Sequence, residues 1–303
     1  MTRYVVKRVL LAIVTVIIIS LITFFAMNAI PGGPFNKEKA PSPQVQAVLE
    51  ARYNLDKPVG EQYILYMNNI LHGDWGVSLK TGRDITSTLI TRFAVSSQLG
   101  LQAAAVAVVF GLVLGSIAAR SRNKLPDQLI ICFTTLFTGV PSVVLATLLL
   151  LVFCVELNVF PVWSAENPNY FLPVVSLSLY PMAYITRLTK TSMLDALGQD
   201  YVRTARAKGV PQVKVIFKHA LRNALIPVVT YVGPMIAYII TGSMVVESIF
   251  TIGGLGTQFV NSINNSDYPL IMATTLFLGI LMVSANLITD LVYKLIDPRI
   301  ELE

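Results

Sequence analysis

The sequence predicts an all-α integral membrane protein with six transmembrane helices and a small extracytoplasmic cap after the first. Three observations carry this. The chain is 54% hydrophobic and 13% charged over 303 residues, which is about half the charged fraction of an ordinary soluble domain. Its charges are gathered into a few stretches with long neutral runs between them. Several of those runs have the roughly 20 mostly apolar residues that a helix needs to cross a bilayer core. They are Val9–Ile30, Val95–Ala119, Leu129–Val155, Phe171–Thr186, Ala224–Val246 and Leu270–Thr289. So many uncharged runs of this length would overfill any globular core.

The first run follows Arg3, Lys7 and Arg8, as the apolar region of a secretory signal would. It is longer than the 7–15 residues usual there and is not followed by Ala-x-Ala spacing, so an uncleaved anchor is expected. The fourth run is the shortest and carries Pro173 and Pro181. The third holds both cysteines, Cys132 and Cys154. On a straight helix they lie roughly 33 Å apart, too far to bridge. With His72 and His219 the only histidines, a Cys/His metal cage is not expected.

Basic residues favour the cytoplasmic side of short loops. Three precede the first run, three lie in Arg120–Lys124, eight in Arg187–Arg222, and Lys294 and Arg299 end the chain. The intervening connections Glu156–Asn169 and Glu247–Pro269 have none. Both termini are therefore expected in the cytoplasm. The outward segment Pro31–Arg92 is about 60 residues long, near the length where loop charge stops governing orientation. The net charge of +6 follows from this bias, so no nucleic-acid partner is needed to explain it.

The chain divides into residues 1–93, a first helix with an outward cap, residues 94–293, a five-helix block, and a cytoplasmic tail over 294–303. In the cap, Pro31-Gly32-Gly33-Pro34 and Pro41-Ser42-Pro43 mark turns, and Val45, Val48, Leu49 and Tyr53 follow at helical spacing. Tyr63, Leu65, Tyr66, Ile70 and Leu71 continue an apolar and aromatic surface. In the block, Gly111 and Gly115 form a G-x-x-x-G face that permits close helix approach. Gly139-Val140-Pro141 predicts a kink in the third span, and Pro227, Gly233 and Pro234 predict kinks in the fifth.

The most informative stretch is Asp200-Tyr201-Val202-Arg203-Thr204-Ala205-Arg206-Ala207-Lys208-Gly209-Val210-Pro211. Alanine and long straight side chains favour helix, and Gly209 followed by Pro211 reads as a stop and restart. The expected result is a short surface helix, a sharp turn and a second helix. On that second helix Val213, Ile216, Phe217, Ala220 and Leu221 share a face, and Lys214, Lys218 and Arg222 line another, where they can meet lipid phosphates. Charge and amphipathicity alone fit a membrane-surface anchor as well as a partner's docking element.

Arg203 to Gly209 resemble the cytoplasmic "Glu-Ala-Ala…Gly" loop of ABC importer permeases, in its peptide-permease form. Departures are Arg203 and Thr204 where the general motif has Glu and Ala, and Arg222 where a Pro is frequent. Further resemblance to the oligopeptide/dipeptide branch runs along nearly the whole chain. It includes Pro31-Gly32-Gly33-Pro34-Phe35, Tyr53-Asn54-Leu55-Asp56-Lys57-Pro58, Gly73-Asp74-Trp75-Gly76-Val77-Ser78 and Gly82-Arg83. Gly242-Ser243-Met244-Val245-Val246-Glu247, Gly253-Gly254-Leu255-Gly256, Asp267-Tyr268-Pro269 and Asp297-Pro298-Arg299 complete it.

The resemblance implies the type I ABC importer permease fold in a B-type subunit of the bacterial cytoplasmic membrane. It implies ATPase-coupling roles for Arg203, Thr204, Ala205, Arg206, Ala207, Lys208 and Gly209. The implied partners are a second, homologous permease, two ATPase subunits, an extracellular peptide-binding protein and membrane lipid. No cofactor is expected in this chain; ATP and magnesium belong to the partner subunits. Oligopeptide import by alternating access is the implied function, with dipeptides, nickel or another small solute as alternatives.

Absent motifs agree. The chain lacks G-x-x-x-x-G-K-[ST] for phosphates, H-E-x-x-H and G-x-S-x-G, so it is not expected to be an enzyme. Ion-driven transporters place ionisable residues inside the bilayer, whereas Arg187 and Asp290 stand only at span margins. A secondary transporter and a membrane enzyme or scaffold are thereby disfavoured. Gln98, Gln102 and Asn286 are candidates for the substrate path, although such amides also join helices. Gly254, Gly256, Asp267 and Tyr268 are candidates for the receptor-facing side.

Overall fold

A computed structural model describes residues 2–29 and 56–296, with backbone alone for residues 2–4, 217–219 and 291–296. The expected run Val45, Val48, Leu49, Tyr53, the turn motifs between Pro31 and Pro43, and Asp297-Pro298-Arg299 lie outside the described residues. Those described are almost entirely helical, with one isolated β-bridge between Val77 and Asp84.

The helices are α1 (Thr2–Asn28), α2 (Val59–Leu71), α3 (Ile85–Arg120), α4 (Leu125–Gly139), α5 (Ser142–Leu150) and α6 (Phe171–Leu197). After them come α7 (Asp200–Ala207), α8 (Leu221–Ile240), α9 (Met244–Ile249), α10 (Leu255–Asn264) and α11 (Tyr268–Ile296). Five helical spans are long and apolar enough to cross a membrane, and a bent pair, α4 with α5 and its extension, makes a sixth.

That bent pair is the largest departure from a simple six-rod picture. α4 and α5 meet at an angle of 101°. Pro141 has no amide hydrogen and fixes its own φ, so a helix cannot continue smoothly through it. Gly139 before it adds backbone freedom. The expected kink is thus a full break, and beyond it Leu151–Glu156 winds as a π-helix. Cys132 and Cys154 sit on the two separate arms, both as free thiols. Pro227 and Pro234, in contrast, lie inside the unbroken α8, because neighbouring helices in a membrane can re-satisfy the carbonyls a proline frees.

The fourth apolar run, the weakest in the sequence, forms the most enclosed helix. α6 extends eleven residues beyond Thr186, to Leu197, and packs against α3, α4, α5 and α8. Its composition has a physical reason: a helix surrounded by protein needs small and hydroxylated residues for close packing more than it needs lipid-compatible bulk. Gly111 and Gly115 of α3 sit against it. A Cβ on Gly111 would stand 2.6 Å from Ile185 Cγ2, and one on Gly115 2.6 Å from both the Thr186 carbonyl oxygen and Thr189 Cβ. Both distances are impossible for real side chains, so the glycine face sets the α3–α6 approach. Gly100 plays the same part toward α8, 2.7 Å from the Ile239 carbonyl oxygen.

α1 packs along α11, and Arg8 pairs with Asp290 at 3.1 Å between them. Most of the other face of α1 is exposed, including Leu10, Leu11, Ile18 and Ile22, as a lipid-facing helix requires. Above this pair, α2 places Tyr63, Tyr66 and Ile70 against Phe24, Met27 and Met272. Tyr63 Oη and Ser20 Oγ share a hydrogen bond of 2.8 Å. Leu71, expected in this surface, is exposed. No structural break falls at the sequence-based boundary, because α3 runs continuously through residues 93 and 94.

Candidate functional site

The stretch singled out in the sequence folds as expected over its first half. α7 is an eight-residue helix with Val202 and Ala205 buried against Leu197, Val210 and Val215. Arg203, Thr204, Arg206, Ala207, Lys208 and Gly209 are exposed. The predicted coupling residues therefore form a continuous outer surface with Ala205 as the inward anchor. The turn is closed by Gly209 N–H donating to the Arg206 carbonyl at 3.0 Å and Val210 N–H to the Ala205 carbonyl at 3.2 Å. Gly209 has φ +73°, the left-handed region where glycine alone carries no Cβ penalty.

Beyond Pro211 the second helix departs from the expected register. Gln212–Lys214 passes into a π-helical segment, Val215–Ala220, and then into α8. The wider π turn rotates the following residues relative to a regular helix. Val215, Ile216 and Ala220 are buried while Val213 is 56% exposed, so Val213 leaves the predicted apolar face and Val215 joins it. The side chains of Phe217 and Lys218 lie outside the described residues.

Asp127 at the start of α4 accepts from Lys190 of α6, with Nζ 2.6 Å from Oδ1. Its other oxygen accepts from Asn123 N–H at 3.0 Å. Arg187, one turn along α6, donates to Thr135 Oγ1 at 2.7 Å. These bonds tie α4 to α6.

At the other end of the helices, the glycine turn of the resemblance has a buried centre. Glu247 is fully buried and lies within the apolar helical stretch Leu221–Ile249, not in an exposed connection as the sequence suggested. Burial of a carboxylate requires donors around it. Ser96 Oγ donates to Oε1 at 2.7 Å, and Thr257 N–H donates to Oε2 at 3.1 Å. The same Ser96 Oγ accepts from Leu255 N–H at 2.7 Å. Gly254 leaves the space for this: a Cβ there would stand 2.5 Å from Glu247 Oε2 and from Ser96 Oγ. Arg92 donates to the Gly253 carbonyl at 2.8 Å.

A second node joins α11 to the segment after α2, where Ser78 Oγ and Leu79 N–H donate to Asp267 at 2.5 and 3.1 Å. Gly254, Gly256 and Asp267, the receptor-facing candidates, are thus buried inside the chain, with Tyr268 half-buried. Sequence reasoning missed Ser96 and Ser78, whose partners are 151 and 189 residues away.

Between these ends lies a cavity of about 1020 Å³. The α4–α5 break (Thr138 to Ser142) forms one wall, α6 another through Ser176 and Tyr180, and α8 a third through Tyr231 and Tyr238. No charged residue lines it. Gln98, Gln102 and Asn286 are exposed on α3 and α11 and are not among its lining residues.

The chain thus combines an exposed short helix with a left-handed glycine turn, a broken transmembrane pair and an uncharged cavity. Residues 111–302 match the family model described as binding-protein-dependent transport system inner membrane component, and residues 1–100 match the model of its N-terminal part. The chain belongs to this family. It is 46% identical over 304 aligned positions to the dipeptide transport system permease protein DppB of Bacillus subtilis, covering 100% of this chain and 99% of the relative. It is 41% identical to the oligopeptide transport system permease protein OppB of Haemophilus influenzae, covering 99% of each. A solved amino acid ABC transporter with histidines shares the fold at a TM-score of 0.56 and 15% identity, over 69% of this chain and 94% of that one.

Proposed function

We propose that this chain is one of two pore-forming permease subunits of an ATP-driven importer of peptides. The observation that carries the reading is the full-length similarity to dipeptide and oligopeptide permeases, joined to an exposed coupling helix over Arg203–Gly209. ATP with magnesium is bound and hydrolysed by two separate subunits, whose clefts receive α7. A second permease completes the pore and an extracellular peptide-binding protein delivers the substrate. The chain sits in the bacterial cytoplasmic membrane with both termini inside, following its basic loops. Transport proceeds by alternating access. Oligopeptides are the favoured substrate, with dipeptides the closest alternative and nickel or another small solute a more distant one.

Within this reading α7 moves with its ATPase, and its motion reaches the spans through Val202 and Ala205, which it buries against the start of the π-helical segment. Gly209→Pro tests this. Proline holds φ near −65°, so it is incompatible with φ +73°. The tagged wild-type chain, isolated in mild detergent, is expected to bring down a second permease and ATPases, and to support peptide-stimulated ATP hydrolysis. The variant should retain its helices and lose that stimulation. A chain that is isolated alone and moves solute without ATP overturns the reading in favour of an ion-coupled carrier.

A further inference from the structure

The cavity at the broken span has features that its apolar character does not explain. Ser176 is 3% exposed, lines the cavity, and its hydroxyl has no hydrogen-bond partner. A buried hydroxyl in hydrocarbon normally bonds back to its own helix or to a neighbour, as Ser178, two residues on, does to the Val175 carbonyl at 2.9 Å. Its oxygen is itself enclosed, so Ser176 makes the wall polar from behind without facing the space.

The backbone adds to this. At the break the last carbonyls of α4 and the first amides of α5 have no intrahelical partner, and Thr138 to Ser142 line the cavity there. Irregular backbone at membrane depth is tolerated where it is buried in protein or lines a cavity. In transporters, interrupted helices mark substrate sites because they present such groups.

The third feature is the tyrosine rim. α6 is buried nearly all round, yet Tyr180 is 52% exposed, and Tyr238 on α8 is 69% exposed. With Tyr231 they bring phenol hydroxyls, which both donate and accept, to a space without a charged side chain. The volume of about 1020 Å³ is at the upper end of ligand pockets, roughly 300–1,000 Å³.

We propose that this cavity is a peptide main-chain subsite, in which the backbone at residues 138–142 and the hydroxyls of Tyr180, Tyr231 and Tyr238 bond the amides of a passing peptide. The inference rests on the peptide-importer reading and adds to it the residues that touch the cargo. Neutral groups that donate and accept match an amide chain, whose own groups do both. They make no demand on side chains, and an apolar wall accepts apolar side chains without a fixed partner. The lining holds no set of side chains that would ligate a metal ion.

The test uses the assembled transporter in proteoliposomes, with trialanine and trileucine as probes. A photoreactive benzophenone side chain at position 180 or 238 is expected to label radioactive trialanine during ATP-driven transport. Tyr180→Phe should slow uptake of both peptides at low concentration by roughly fivefold, the worth of one hydrogen bond. Tyr238→Phe, which removes one exposed hydroxyl and no packing, should slow both in the same proportion as each other. Equal loss for the two peptides is the mark of main-chain contact.

Labelling of lipid or of the second permease alone, with uptake by both variants at the wild-type rate, overturns the proposal and makes the cavity a lipid or subunit contact. A loss for trileucine only also overturns it, because the contact would then be to side chains. If the wild-type transporter moves no peptide at all, the functional reading fails first, so the two failures are distinguishable.

Discussion

Glu247 sits where an unsatisfied carboxylate would be costly, enclosed by α3, α9 and the start of α10. Ser96 and the amide of Thr257 meet its two oxygens, and hydrogen bonds to charged groups are worth about 1.5–3 kcal/mol each. Glu247→Leu removes the acceptor and leaves both donors buried. The expected loss is about 2–3 kcal/mol, read as a lowered thermal unfolding midpoint of the purified chain in detergent. Gly254→Ala attacks the same node sterically, and should cost about 1–3 kcal/mol because neither neighbour can withdraw. An unchanged midpoint in both variants would mean the node is not formed in the membrane.

The Asp127–Lys190 pair makes a different prediction. Its side chains are 6% and 19% exposed, so breaking it strands a charge that water reaches poorly. Lys190→Met should destabilise by about 3 kcal/mol, and the double replacement with Asp127→Leu should recover most of that. A double-mutant cycle on thermal unfolding checks it; a double variant as unstable as the single one would refute the pairing.

At the level of elements, helix approach is governed by absent side chains. Gly111 and Gly115 let α3 touch α6 closely enough that any Cβ would collide with Ile185 or Thr189. Gly111→Leu and Gly115→Leu should prevent the two helices from packing, with loss of folded protein on size-exclusion chromatography. Gly139→Leu, where no atom lies within 4 Å of the missing Cβ, should be tolerated. Equal tolerance at all three positions would contradict the packing account.

The glycine face was legible in the sequence because a four-residue spacing on one helix is local information. So was a kink at Gly139-Val140-Pro141, though not that it is a full break of 101°, and so was the turn at Gly209, since proline and glycine act through their own backbone. What could not be read was what depends on distant partners. Nothing near Ser96 announces Glu247, 151 residues on. The π turn at Val215–Ala220 shifts Val213 outward through a change of helical pitch that periodicity takes as constant. α6 looked like the weakest span because hydropathy measures compatibility with lipid, and this helix is enclosed by protein.

For the whole molecule, the two ends are built for different tasks. One presents a cationic helix-turn surface anchored by two small buried residues; the other is locked by carboxylate nodes at Glu247 and Asp267. Between them the broken span opens an uncharged cavity. The most direct test is ATP hydrolysis by the reconstituted assembly, this chain with the second permease, both ATPases and the binding protein, with and without peptide. The account predicts that peptide-loaded binding protein raises the rate, and that Gly209→Pro in this chain abolishes the increase while assembly is retained. A rate indifferent to peptide, or one that responds equally in the variant, would contradict it.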